Sequence, residues 1–214
     1  MRAGRRPEEI RLVSVTKTVG VDEIKQALDV GLRIFGESKV QEAKHKISDL
    51  KLQISNLTAE WHLIGHLQRN KVRHAVQLFD MIQSVDSEGL AEDIDREAAR
   101  IGKIQRVLIQ VKLSEEDTKS GATEAAMPRL AETVSGLENL KLEGLMTIPP
   151  FFDDPKAARP YFRRLRELRD ELTKEGFDLP ELSMGMSGDF EVAIEEGATL
   201  VRVGTAIFGE RRTT

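Results

Sequence analysis

Eight short apolar runs, each followed by a stretch with helical spacing, constrain this chain more than any other feature of its sequence. The runs are Leu12–Val15, Arg33–Phe35, Trp61–Ile64, Met81–Val85, Arg106–Val111, Glu143–Met146, Glu181–Met184 and Leu200–Val203. A strand covered on both faces reads as a continuous apolar run, so each run predicts a buried parallel strand. The intervening stretches space their apolar residues three and four apart; Tyr161, Phe162, Leu165, Leu168 and Leu172 would share one helical face. Gly31, Gly102 and Gly176 close three of these stretches, where a left-handed helix cap favours a residue without Cβ. Strand and helix in repetition make βαβ units. Eight such units in 214 residues predict an α/β fold, a single (β/α)8 TIM-type barrel over residues 1–214, since an open doubly wound sheet would have fewer strands.

Composition removes several alternatives. Lys and Arg number 32 against 36 Asp and Glu, a net charge of −4, which lacks the basic excess of a nucleic-acid footprint. There is no cysteine, so disulfides, thiolate nucleophiles and zinc–sulfur sites are excluded. No run approaches the roughly 18 apolar residues of a membrane helix, and the basic start leads into no apolar signal segment. The expectation is a cytoplasmic protein without nucleic-acid or membrane partners, and a small complete barrel is expected to be a monomer.

A (β/α)8 barrel carries its chemistry on the loops after the carboxyl ends of its strands, often with a phosphate site after strands 7 and 8. After the seventh run comes Met184-Gly-Met-Ser-Gly-Asp-Phe, small residues that open a helix and leave its first N–H groups free for an anion. After the eighth comes Arg202-Val-Gly-Thr-Ala-Ile-Phe-Gly, where Gly204 permits close backbone approach and Thr205 adds a hydroxyl. Each segment alone also reads as an ordinary helix cap and turn; together they occupy the two loops where a phosphate cup is expected.

Lys17 follows the first run, and in a closed barrel strand 1 neighbours strand 8. It reads either as a solvated lysine at a loop start or as a partly desolvated amine, lowered in pKa and nucleophilic toward an aldehyde. Spacing alone leaves both readings open.

Six segments carry a more specific signal: Val15-Thr-Lys-Thr, Phe35-Gly-Glu-Ser-Lys-Val-Gln-Glu, Trp61-His-Leu-Ile-Gly-His-Leu-Gln-Arg-Asn-Lys, Thr118-Lys-Ser-Gly, Gly144-Leu-Met-Thr-Ile-Pro, and Ser183-Met-Gly-Met-Ser-Gly-Asp continuing to the Arg202 segment. In this order they resemble the pyridoxal phosphate homeostasis protein family, relatives of the amino-terminal barrel of alanine racemase. The resemblance implies pyridoxal 5′-phosphate (PLP) as cofactor, held as a Schiff base on Lys17, with its phosphate on Ser187, Gly204 and Thr205. It also implies that Arg202 faces the pyridine nitrogen, where a cation disfavours ring protonation and weakens the ring as an electron sink. PLP-requiring apoenzymes are the implied recipients. The chain departs from the family pattern at Ser38, where asparagine is usual, and at Val19, where a second lysine is often found. Family members usually begin with another helix, and with about ten residues before the first strand that helix is expected to be absent here.

Other polar residues read more plainly. His62 and His66 flank the end of the third run, not one helical face, so no metal site is expected. Lys119 reads equally as a residue at the pocket mouth or as a solvated one. Arg69, Lys71, Arg73 and His74 read as a solvated helix face. Arg163, Arg164, Arg166 and Arg169 interleave with Glu167, Asp170 and Glu171, a pattern of pairs along one exposed helix.

Three functions fit a lysine beside a phosphate cup. A PLP carrier acting in vitamin B6 homeostasis, without catalytic turnover, needs only these groups and solvent access. A PLP-dependent racemase or decarboxylase needs acid–base groups on both faces of a carbanion, and this chain offers one tyrosine, Tyr161, and no cysteine. A Schiff-base aldolase would need an acid–base partner beside Lys17. The carrier reading is the expectation.

Overall fold

The computed structural model describes residues 3–54, 57–114 and 120–210. Among these, strands and helices alternate as β1 (Arg11–Val15), α1 (Val21–Asp29), β2 (Ile34–Glu37), α2 (Val40–Gln53), β3 (Glu60–Leu63), α3 (Val72–Leu78), β4 (Met81–Val85), α4 (Glu88–Arg100), β5 (Gln105–Gln110), α5 (Met127–Gly136), β6 (Leu140–Met146), α6 (Arg159–Lys174), β7 (Glu181–Met186), α7 (Phe190–Glu195), β8 (Leu200–Val203) and α8 (Thr205–Phe208). A 3-10 turn, Pro7–Glu9, precedes β1. The strands form one closed parallel barrel in chain order, sealed where β1 pairs with β8 and Val13 stands opposite Arg202. This is the (β/α)8 barrel that the apolar runs predict.

Side-chain parity divides the core. Val13, Val15, Ile64, Met81, Leu108, Met146 and Leu200 pack together inside the barrel. Phe35, Leu50, Phe79, Ile94 and Phe162, all fully buried, belong to the layer between strands and helices. Burying such a side chain contributes roughly 1.5–3 kcal/mol. The Phe35 and Trp61 rings stack in that layer with centroids 5.2 Å apart. α6 turns Phe162, Leu165, Leu168 and Leu172 inward, as their spacing requires. Gly31, Gly102 and Gly176 all have positive φ, which is why glycine ends those helices.

The sequence boundaries differ from the structure at particular points. β6 begins at Leu140, three residues before the apolar run, because its ladder with β5 starts there, with Leu140 opposite Gln105; the polar Glu143 in this stretch pairs with Lys141 and Arg106. The arginines of α6 also differ from expectation. Arg163 and Arg166 reach away from their own helix to Glu196, as does Arg159, while Arg164 joins Glu124 as well as Glu167 and Glu171. Glu196 is 4% exposed, so this cluster clamps the end of α7 to α6.

Candidate functional site

The alternation that puts Val13 and Val15 inside the barrel makes Lys17 the next residue of that parity, two positions beyond the end of β1. Its backbone lies in a tight turn, closed by the Val19 N–H on the Thr16 carbonyl at 2.9 Å. Thr18 has φ 64°, the left-handed conformation that such a turn requires at its third position and that a threonine adopts at a cost of about 1 kcal/mol.

Buried charges hold that conformation. The Lys46 ammonium donates to the Thr16 carbonyl and, at 2.9 Å and 2.7 Å, to Glu37 and Glu42. Glu42 in turn accepts the Thr18 N–H at 2.6 Å, and Glu37 accepts the Thr16 hydroxyl at 2.7 Å. Glu37 is fully buried, and burial pushes its carboxyl up, opposed by the bonds from Lys46 and Thr16. The cluster lies behind the strands, so it braces the turn without entering the barrel mouth.

The loops after β7 and β8 meet across the mouth. The Ser187 hydroxyl accepts the N–H of Gly204 at 3.1 Å and that of Ala206 at 3.5 Å. Asp189 shapes the first loop by accepting the Met186 N–H at 2.6 Å. Gly204 suits a close approach: a Cβ there would lie 3.3 Å from both the Cβ and the carbonyl oxygen of Val15, tighter than most such contacts. Gly185 has φ 92°, and its Cβ would lie 2.5 Å from that of Ala193, so glycine lets α7 sit directly on β7. The Gly204 and Ala206 N–H groups thus converge on one hydroxyl oxygen.

A cleft of about 350 Å³ is lined by Val15, Lys17, Thr18, Gly204, Thr205 and Phe208, among others, within the size range of small-molecule sites. Three of the five residues expected from the sequence, Lys17, Gly204 and Thr205, therefore share one cleft. Ser187 joins it through Gly204. Arg202 lies two residues before Gly204 on the same face of β8 and is 3% exposed. Its guanidinium donates to the Ser183 hydroxyl at 2.7 Å and to the Thr147 carbonyl at 2.8 Å. Desolvation lowers its pKa to about 10, with Asp189 acting in the opposite sense, so it remains a cation at neutral pH.

Sequence reasoning did not find Lys46, Glu37, Glu42 or the Ala206 N–H. The Lys46 signal was legible in part, since Glu42 and Lys46 are four apart on one helix. His62 is buried and bonded to Glu60 and Gln83, whereas His66 is half exposed beside Asp86; the described residues hold no group of three or more metal-ligating side chains. Arg69 pairs with Asp93 on α4, while Arg73 and His74 are exposed. Tyr161 starts α6 and packs on Phe152 at 5.8 Å. Lys119 lies outside the described residues. No helix among the described residues is long and apolar enough to cross a membrane.

Comparison with known proteins follows the same lines. Residues 2–212 match the family described as "Alanine racemase, N-terminal domain". A pyridoxal phosphate homeostasis protein of Aquifex aeolicus is 47% identical over 212 residues, covering 99% of this chain and 91% of the relative. The structure of PipY from Synechococcus elongatus PCC7942, solved with PLP bound, has a TM-score of 0.88 at 38% identity, covering 97% of this chain and 96% of that one. An alanine racemase of Clostridium difficile 630 has a TM-score of 0.79 at 16% identity, with 97% of this chain covered and 54% of the racemase; that likeness is one of fold.

Proposed function

Because this chain belongs to the pyridoxal phosphate homeostasis proteins, within the alanine racemase N-terminal domain family, we propose that it binds PLP at the carboxyl end of its barrel. In this reading it is a cytoplasmic, monomeric carrier of the cofactor in vitamin B6 homeostasis, supplying PLP-requiring apoenzymes without catalytic turnover. The observation that carries it is the convergence of the Gly204 and Ala206 N–H groups on Ser187, in a mouth that Lys17 and Thr205 also line.

The residues present fit the cofactor. Backbone N–H groups and two hydroxyls, from Ser187 and Thr205, suit a phosphate through charge-assisted hydrogen bonds. Lys17 would supply the amine that holds the aldehyde as a Schiff base, which is the chemistry that PLP would offer here. Arg202, cationic and fixed by neutral oxygens, suits an unprotonated pyridine nitrogen. A positive group there opposes charge build-up in the ring, which favours holding the cofactor over using it. Tyr161, the sole tyrosine, is engaged with Phe152 at the start of α6, which supports the carrier reading over a racemase with a tyrosine acid–base group.

A PLP titration followed by visible absorbance, repeated against rising inorganic phosphate, tests the reading. The band is expected to form with PLP and to recede as phosphate competes for the cup. A chain that takes up no PLP contradicts the binding, and racemisation or decarboxylation of amino acids by the loaded protein contradicts the carrier role.

A further inference from the structure

A hydrogen-bonded chain crosses the inside of the barrel from mouth to floor. Arg202 Nη1 donates to Ser183 Oγ at 2.7 Å, and the Ser183 hydroxyl donates to Gln83 Oε1 at 2.6 Å. Gln83 Nε2 stands 2.8 Å from His62 Nδ1, and His62 Nε2 stands 2.7 Å from Glu60 Oε1. Arg106 completes the chain at the floor by binding Glu60 and Glu143. Ser183, Gln83 and His62 are each 0% exposed. TIM-type barrels usually fill this space with branched apolar side chains, so a polar file there needs a reason.

Donor and acceptor capacities give the file one direction. An amide NH₂ only donates, so His62 Nδ1 accepts from Gln83 and the His62 proton sits on Nε2, facing the Glu60 carboxylate. The amide oxygen of Gln83 then faces Ser183 and takes its single hydroxyl proton. The lone pairs of Ser183 are left for Arg202. With the amide reversed, its NH₂ would join Arg202 as a second donor to Ser183 Oγ and leave the Ser183 proton without an acceptor, and a buried polar group left without its partner costs about 1–3 kcal/mol. Every donor therefore points from Arg202 toward Glu60.

We propose that Gln83 is a positioning residue for the cofactor site: through Ser183 it fixes the Arg202 guanidinium at the barrel mouth, with His62 setting the direction of its amide. The inference rests on the proposed PLP site, because Arg202 is the member that would meet the cofactor. Gln83 itself touches only Ser183 and His62 within the file, and acts through them. Of the two oxygens that hold Arg202, the Thr147 carbonyl is fixed by the backbone, whereas the Ser183 hydroxyl can rotate. Gln83 removes that freedom.

The test compares Gln83→Leu, Gln83→Glu, Ser183→Ala and the double variant Gln83→Leu/Ser183→Ala, each checked for native circular dichroism. One readout needs no cofactor: the ¹⁵N side-chain signals of Arg202 and the ring nitrogens of His62. In the parent protein His62 is expected to show one acceptor and one protonated nitrogen, and Arg202 a protected guanidinium. Gln83→Leu should shift the Arg202 signals and speed their proton exchange. The second readout is a PLP titration: Gln83→Leu should weaken affinity by about three- to tenfold, the size of one lost buried hydrogen bond, and move the pH midpoint of the visible band. Ser183→Ala should do the same, and the double variant no more, since the residues act in series. Gln83→Glu keeps an acceptor for Ser183 and should keep the Arg202 signals protected, while its second oxygen demands a proton on His62 Nδ1 and should change the His62 ring-nitrogen signals. Unchanged Arg202 signals in Gln83→Leu, or additive effects in the double variant, would overturn the proposal. A parent protein that binds no PLP contradicts the proposed function instead, and the Arg202 signals still decide the role of Gln83.

Discussion

The Ser187 hydroxyl receives the Gly204 N–H at 3.1 Å, joining two loops that leave the barrel after adjacent strands. A phosphate bound there would meet both loops at once, so its affinity reports on how they are held.

Removing the hydroxyls tests the cup directly. Ser187→Ala with Thr205→Ala should weaken PLP binding by about tenfold or more, on the order of 1.5–3 kcal/mol for hydrogen bonds to a charged group. Equilibrium dialysis against PLP measures it, and the melting temperature of the unliganded protein should fall by a few degrees at most from the lost Ser187 bonds. Unchanged affinity would place the phosphate elsewhere.

Glu196 caps the carboxyl end of α7, the helix that follows the Ser187 loop, and is bound by Arg159, Arg163 and Arg166 at 2.9, 3.1 and 3.2 Å. Glu196→Gln should lower stability by roughly 1–2 kcal/mol, because it weakens several charge-assisted bonds to a buried group. It should also weaken PLP binding through a looser α7. Urea denaturation and dialysis measure the two effects; a variant that loses stability but keeps full affinity would show the clamp to be structural only.

Lys46 carries the turn on which Lys17 stands. Lys46→Met leaves the fully buried Glu37 without its cation and should cost about 3–5 kcal/mol. Adding Glu37→Gln should recover much of that loss, since the stranded charge is then removed. Denaturation midpoints of the two variants check the prediction.

Glu60 predicts an acid limb in stability. Its carboxyl is lowered from 4.5 to about 2, chiefly by the His62 hydrogen bond, with burial opposing and Arg106 assisting. A depressed carboxylate stabilises the fold above its unfolded pKa, and that contribution is lost as pH falls toward the folded value. Relative to Glu60→Gln, the parent should be more stable at neutral pH by roughly 2 kcal/mol. The gap should narrow below about pH 4.5 and close near pH 2. Stability curves of both proteins across this range would reveal a constant gap if the assignment were wrong.

The barrel was legible because each strand is buried on both faces and each helix on one, and both demands leave local patterns. The two loops after β7 and β8 were legible for a related reason: Gly185 and Gly204 stand where the chain crowds its neighbours. The brace and the interior file were not. Ser183 and Gln83 are 100 residues apart and become neighbours only when the barrel closes. Gln83 sits in a run that reads as ordinary strand, and Glu37 lies two residues past the end of one. Arg163 and Arg166 misled for the same reason, since helical spacing offered them partners on their own helix while Glu196, 30 residues or more away, offered a buried one; Arg164 and Arg169 do keep partners on α6.

Reduction of the PLP-loaded protein with borohydride, followed by peptide mass mapping, tests the central claim most directly, with Lys17→Ala in parallel. The account predicts a visible band in the parent protein, its loss in Lys17→Ala, and a phosphopyridoxyl adduct on the peptide containing Lys17. A band that persists in Lys17→Ala, or an adduct on another lysine, would contradict it.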